Sequence, residues 1–200
     1  MLEEAREKSL ELRKSPRVAI IAIMSALTLV GSYAIPFPNL ELGSSLLFIT
    51  SFVFGGEIGA ICTLIVSAVY FGLLNPWGAA IPLLLLTQVI GWLLFVAIGH
   101  LMGKAGIEAF RPYELAIVGG VLTLLYDLLT NLGWAWTTST PYFVVLVGGA
   151  LFMVVHVSSN FLIFGLVVPH MDRAIRGQLG PSLFSANSKM AAHQQEIGAS

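Results

Sequence analysis

From residue 18 to residue 103 only Glu41 and Glu57 carry a charge, and from 112 to 171 only Glu114 and Asp127 do. Apolar stretches of this length are broken by short polar or proline-containing segments into runs near the ~20 residues that a helix needs to cross a bilayer. In hydrocarbon the backbone must satisfy its own N–H and C=O groups, which a helix does within itself. The whole composition agrees, with 56% hydrophobic and 10% charged residues among 200 and a mean hydropathy of +0.86. The expectation is an all-α integral membrane protein embedded in a lipid bilayer.

In chain order, residues 1–16 form a charged N-terminal segment, 17–170 the membrane domain, and 171–200 a polar tail expected to be disordered from about Gly180. The segment before the first apolar run has no cleavage-site pattern, so it is no signal peptide. Six helices are read: about Arg17–Ile35, Ser45–Gly56, Glu57–Leu74, Ala79–Gly103, Tyr113–Gly133 and Tyr142–Pro169. The second is too short to span as a straight helix. It either starts earlier or is a broken or tilted helix whose irregular end lines a cavity. All ten Lys and Arg residues (Arg6, Lys8, Arg13, Lys14, Arg17, Lys104, Arg111, Arg173, Arg176 and Lys189) fall on one side of this six-span plan. By the positive-inside rule that side is cytoplasmic, with both termini on it.

The polar residues within the apolar runs define a candidate site. Asp127 is a carboxylate inside a helix that otherwise reads as lipid-embedded, a position that is costly and usually faces a bundle interior or a wet cavity. Asn131 and Trp134 share its helical face, at i+4 and i+7. Trp136 and the run Thr137–Thr140 then lead the chain into water. Gln88 and Trp92 sit one turn apart on the fourth helix, while Asn39, Glu41, Asn75 and Trp77 lie in two loops at the same end. Together these ten residues suit a small-molecule pocket, with aromatic walls and a few hydrogen-bonding groups. The alternative is that Asp127 and Asn131 only hydrogen-bond neighbouring helices, and that the tryptophans form an interfacial belt.

Other chemistries find little support. Counting 1.5 Å per residue from the helix ends puts Asp127 about 10 Å from the outer surface and His156 about 20 Å. His156 and Asn160 are therefore expected to set helix packing by interhelical hydrogen bonds. No second histidine lines up with His156 as a metal or haem ligand. No GxxxxGK[ST] loop, no GxSxG elbow and no basic stripe with interleaved aromatics occurs, so no nucleotide, hydrolase or nucleic-acid site is expected. Cys62, the lone cysteine, reads as a small buried hydrophobe.

Several stretches carry a family resemblance. AIMSA (Ala22–Ala26) matches an AxxxA motif in a first helix, FPN (Phe37–Asn39) leads into a short second helix, and GGEIGA stands at the 2–3 turn. NPWG follows at 75–78, and HVSSNFLIF provides a His…Asn pattern in the last helix. With six helices in about 170 residues, the chain resembles the membrane-embedded substrate-binding (S) component of energy-coupling factor vitamin transporters. The resemblance implies high-affinity binding of a vitamin, cobalamin-type or other, at the outer face of the plasma membrane. It implies no enzymatic activity and no cofactor in this chain. A membrane coupling (T) protein and two cytoplasmic ATP-binding cassette ATPases would drive import, and Ala22 and Ala26 would give the coupling protein its close-packing contact.

Two readings from other classes stand beside it. An integral-membrane enzyme could use Asp127 and His156 as acid and base, which requires the two side chains to share one pocket. Their depths, ~10 Å apart, argue against that. A structural or assembly subunit would have polar residues that only pack helices, and an outer half without a cavity.

Overall fold

The computed structural model describes residues 14–34, 39–75 and 81–183. Trp77 and the segment around it lie outside the described residues, as do residues 35–38 and both terminal segments. The described residues form α1 (Lys14–Tyr33), α2 (Gly43–Phe54) and α3 (Gly56–Ser67), which continues as a π-helical segment Ala68–Leu73. After these come α4 (Pro82–Gly103), α5 (Pro112–Thr138), α6 (Tyr142–Leu166) and α7 (Val168–Leu183), with a 3₁₀ turn Ile107–Ala109 between α4 and α5. Five of these helical stretches are long and apolar enough to cross a membrane, and α2 is a shorter apolar helix. The architecture is that of a helical multi-span membrane protein.

The helix ends follow local chemistry. Gly55 turns the chain from α2 into α3 at φ 95°, a left-handed conformation that costs glycine nothing, and its N–H donates to Ser51 O. Pro82 and Pro112 open α4 and α5 at positions where a missing N–H is harmless. At the start of α5 the Glu114 carboxylate accepts the Arg111 N–H at 2.8 Å. Hydroxyls buried in the apolar helices mostly bond back to the preceding turn. Thr28, Thr50, Thr63 and Thr123 each donate to the carbonyl four residues earlier.

The fold is organised around the shortest helix. Ten of the residues of α2, Gly43 to Phe52, are buried. The helix packs on α1, α3, α4 and α7 and touches α6. A helix that is apolar all round belongs in such an interior position. Its neighbour α4 comes within backbone contact because Gly99 and Gly103 leave room. A Cβ at Gly99 would lie 2.6 Å from Phe48 O, and one at Gly103 would fall on Phe52 O. This is small-xxx-small packing, in which close approach replaces the hydrophobic drive that lipid does not provide. Below it, Phe48 and Phe95 both meet Phe164, at ring distances of 4.9 Å and 6.0 Å, and all three are fully buried.

Three boundaries differ from the sequence reading. α5 does not stop at Gly133 but runs on to Thr138. Gly133 is a packing glycine pressed against Thr87 rather than a helix terminator. The Thr137 and Thr138 hydroxyls donate to Gly133 O and Trp134 O, so the polar run extends the helix instead of leaving it. α6 ends at Leu166, and Pro169 lies in the first turn of a new helix, α7. Residues 171–183, read as polar tail, therefore belong to that helix. Val168 and Asp172 bury one face of it, while Arg173 stays exposed.

The close contact of α2 with α4 leads to a testable prediction. Gly103→Ala should destabilise the protein by ~1–3 kcal/mol through overpacking. Gly148→Ala, where the added carbon meets nothing within 4 Å, should leave the melting temperature in detergent unchanged or slightly higher. Equal melting temperatures for the two variants would contradict this packing.

Candidate ligand-binding cavity

The loop before α2 does not stay at the end of the bundle. Asn39, in a left-handed conformation with φ 61°, reaches α6. Its amide donates to Phe152 O at 3.4 Å, and its own carbonyl accepts from the Ser159 hydroxyl at 3.4 Å. Phe152 lies ten residues along α6 from Tyr142, so about 15 Å from the helix start at the usual rise. The Leu42 N–H donates to Gly31 O at 3.1 Å. The Glu41 Oε2 accepts the Ser44 N–H at 2.9 Å, a carboxylate at the positive end of α2. The second helix is short because it starts part-way down the bundle, and its irregular lead-in lines a cavity.

That cavity has a volume of ≈ 320 Å³. Its walls include Asn39, Glu41, Gln88, Trp92, Asp127, Asn131 and Trp134, seven of the ten residues singled out from sequence. Trp136 and Asn75 do not line it: Trp136 points away and is 67% exposed. Because α5 continues past Gly133, Trp136 lies on the flank of a helix and not where the chain leaves it. Residues that the sequence reading left out complete the walls, among them Ser44, Tyr70, Phe71, Tyr126, Phe152 and His156. Tyr70 and Phe71 are consecutive yet both line the cavity. They lie in the π-helical stretch, where Leu74 N–H donates to Val69 O, an i→i+5 bond.

The chemistry of the cavity centres on α5 and α6. Asp127 Oδ1 and His156 Nδ1 lie 2.8 Å apart, and both side chains are buried. With Asp127 ionised, the imidazole Nδ1–H is the donor, because an ionised carboxylate only accepts. His156 Nε2 faces Glu41 Oε1 at 3.7 Å, beyond hydrogen-bond length. Glu41 Oε1, Asp127 Oδ2 and His156 Nε2 are buried with no hydrogen-bond partner among the described residues. Such orphans are rare in folded proteins and mark places where a further group fits. The ring of Tyr126 stands edge-on to His156 at 5.8 Å and to Phe95 at 6.4 Å, and it also packs on Gly91, whose missing side chain leaves room for it.

Trp92 is packed more firmly than a free stacking platform would be. It is 3% exposed, donates its indole N–H to Ser44 Oγ at 3.1 Å and lies against Phe71 at 4.6 Å. Trp134 is 43% exposed and has room to meet a ligand. The Asn131 amide donates to Asp127 O at 2.8 Å, which holds it on the cavity wall.

The expected ~10 Å separation of Asp127 and His156 does not hold. Asp127 is eleven residues from the true end of α5 at Thr138, so ~16 Å along it, and His156 is ~21 Å along α6. In an antiparallel hairpin those positions meet. Asn160, expected to make an interhelical hydrogen bond, is fully buried with no partner for its amide among the described residues. Among these residues no three His, Cys, Asp or Glu side chains converge as a metal site.

No family model, curated protein or solved structure matches this chain. Fold and site define a class: a helical multi-span membrane protein that encloses an aromatic cavity with a buried carboxylate–imidazole pair.

Breaking that pair from one side should be costly. His156→Ala leaves Asp127 buried without its partner, for an expected loss of about 3 kcal/mol. The double variant Asp127→Leu/His156→Leu should regain most of this, because apolar residues of similar size often replace a buried pair at little cost. Thermal melting in detergent of the single and double variants checks it.

Proposed function

We propose that this chain is the substrate-binding component of an energy-coupling factor importer and binds a vitamin-like small molecule in the cavity between α2 and α6. The observation that carries the binding half is the cavity itself. It combines aromatic walls, amides from Asn39, Gln88 and Asn131, and unpartnered buried acceptors, as small-molecule sites do. Transport enters through the family resemblance. Its volume of ≈ 320 Å³ suits a heterocycle of two or three rings better than a cobalamin-type macrocycle. On this reading the cavity faces the outside of the plasma membrane, both termini are cytoplasmic, and the chain itself does no chemistry. A membrane coupling protein and two ATPases supply the driving force. Ala22 and Ala26 fit that division of labour, since both are exposed on the side of α1 turned away from the buried Met24, Ser25 and Thr28.

A second reading draws on the 2.8 Å contact of Asp127 with His156, which also suits acid–base chemistry in a membrane enzyme. The two readings part on what happens to the bound molecule. Mass spectrometry of compounds that co-purify with the protein should find one that binds and is released unchanged. Conversion of it by the isolated chain would favour the enzyme.

Two variants test the transporter. Losing a buried partner costs ~1–3 kcal/mol, so Asn131→Ala or Trp134→Ala should weaken binding of the co-purified compound by about tenfold to a hundredfold in calorimetric titration. Ala22→Trp should leave that affinity unchanged but abolish uptake in vesicles that contain the partner subunits. Normal uptake by Ala22→Trp would remove α1 as the docking face.

Orientation is tested by labelling. In a Cys62→Ala background, Thr138→Cys should react with an impermeant thiol reagent in intact cells, and Glu108→Cys only after lysis. The reverse pattern would invert the topology.

A further inference from the structure

We infer that the cavity is built for an organic cation, a flat conjugated molecule with one positive charge. This rests on reading the cavity as a ligand site and adds the sign of the ligand's charge. The first observation is an imbalance. Two carboxylates, Glu41 and Asp127, face one imidazole, His156. With both carboxylates ionised the cluster is net negative even when His156 is charged. Among the described residues no Lys or Arg lines the cavity. Among the described residues, Arg17 pairs with Glu57 and Arg176 with Asp172, both remote from the cavity walls. An unbalanced charge among apolar helices is costly to hold, and a positive group on a ligand would relieve it.

The second observation is where the free acceptors are. The Asp127 side chain is 5% exposed; Oδ1 is engaged by His156 while Oδ2 has no partner. Glu41 Oε1 likewise makes no hydrogen bond; it lies on the other side of the imidazole, 3.7 Å from His156 Nε2. Both carboxylates lie on the cavity wall. A ligand that donates to Oδ2 would complete the hydrogen bonding and balance the charge in one step.

The third is the character of the remaining walls. Tyr70, Trp92, Tyr126 and Trp134 line the same space, Trp134 the most exposed of them at 43% and Trp92 packed behind. Ring faces attract cations, most strongly where water is excluded. Bare alkali ions gain little from such walls and would leave most of ≈ 320 Å³ unfilled, whereas an aromatic cation uses both. Anionic ligands would add like charge to an already negative cluster.

Three probes of one shape test this on the full chain in detergent: 1-methylquinolinium, uncharged 1-methyl-2-quinolinone and quinoline-2-carboxylate. Titration calorimetry should find the quinolinium bound at least about tenfold more tightly than the quinolinone, and the carboxylate not bound. Asp127→Asn and Glu41→Gln should each cut quinolinium affinity by about tenfold or more and change quinolinone affinity by less than about threefold. Glu41 lies outside the helices, so its variant keeps the test open if Asp127→Asn fails to fold. Equal affinity for cation and neutral probe, preference for the anion, or a cation preference that survives Glu41→Gln overturns the inference. So does absence of quinolinium binding at millimolar concentration. If the quinolinone binds, needs Trp134 and is not outcompeted by the cation, only the charge assignment falls. If a co-purified compound binds undiminished in Trp134→Ala and Asn131→Ala, the site reading falls with it.

Discussion

Residues 39–42, which lead into α2, can lie at bilayer depth because protein groups hydrogen-bond to them. Exposed to lipid, each free N–H or C=O there would cost several kcal/mol. Asn39 is tied to α6 at both its amide and its carbonyl, Leu42 to the end of α1, and the Ser44 N–H to Glu41. What these bonds leave open is the cavity. The short helix and the cavity are therefore one feature: α2 begins low because the chain above it lines a space.

Everything around α2 accommodates that choice. It is buried on all sides, so its neighbours must come close, and Gly99 and Gly103 on α4 let the backbones touch. The π-helical end of α3 turns two successive aromatic residues toward the cavity and sets Phe71 against Trp92. Ser44 fixes the Trp92 indole from below. The half of the bundle around the cavity thus holds its aromatic walls by packing and part of its polar groups by hydrogen bonds, while the other half closes on Phe48, Phe95 and Phe164.

The contact of Asp127 with His156 joins the two longest helices at the point where the cavity is most polar. As a packing device it is half-finished, because Asp127 Oδ2 has no hydrogen bond and His156 Nε2 and Glu41 Oε1 face each other at 3.7 Å without forming one. A purely structural network usually satisfies all its members, since partial satisfaction in a low-dielectric interior is costly. All three residues line the cavity, so the proposed binding role gives the unfinished half a use that helix packing alone does not.

Length, hydropathy and the placing of polar residues were enough to read the helical membrane class, the short second helix and seven of the wall residues. These are local properties: ~20-residue apolar runs, proline breaks, and polar residues spaced at i+4 along one face. Asp127, Asn131, Gln88 and Trp92 stood out because a polar or amphipathic group in such a run is rare. His156 was visible too, yet sequence assigned it to packing, because its distance from Asp127 depended on where α5 ends. That end is decided by Gly133 against Thr87 and by threonine hydroxyls bonding back along the helix, neither of which spacing reveals. Tyr70, Phe71 and Tyr126 resemble any aromatic residue in an apolar helix, and only a π-helical turn and a glycine on α4 bring them to the cavity. Hydrophobicity therefore determined from sequence alone that the chain is a helical membrane protein. Which side chains meet 2.8 Å apart inside it was decided by how closely the helices pack, a matter of glycine positions and helix lengths that only the tertiary structure holds.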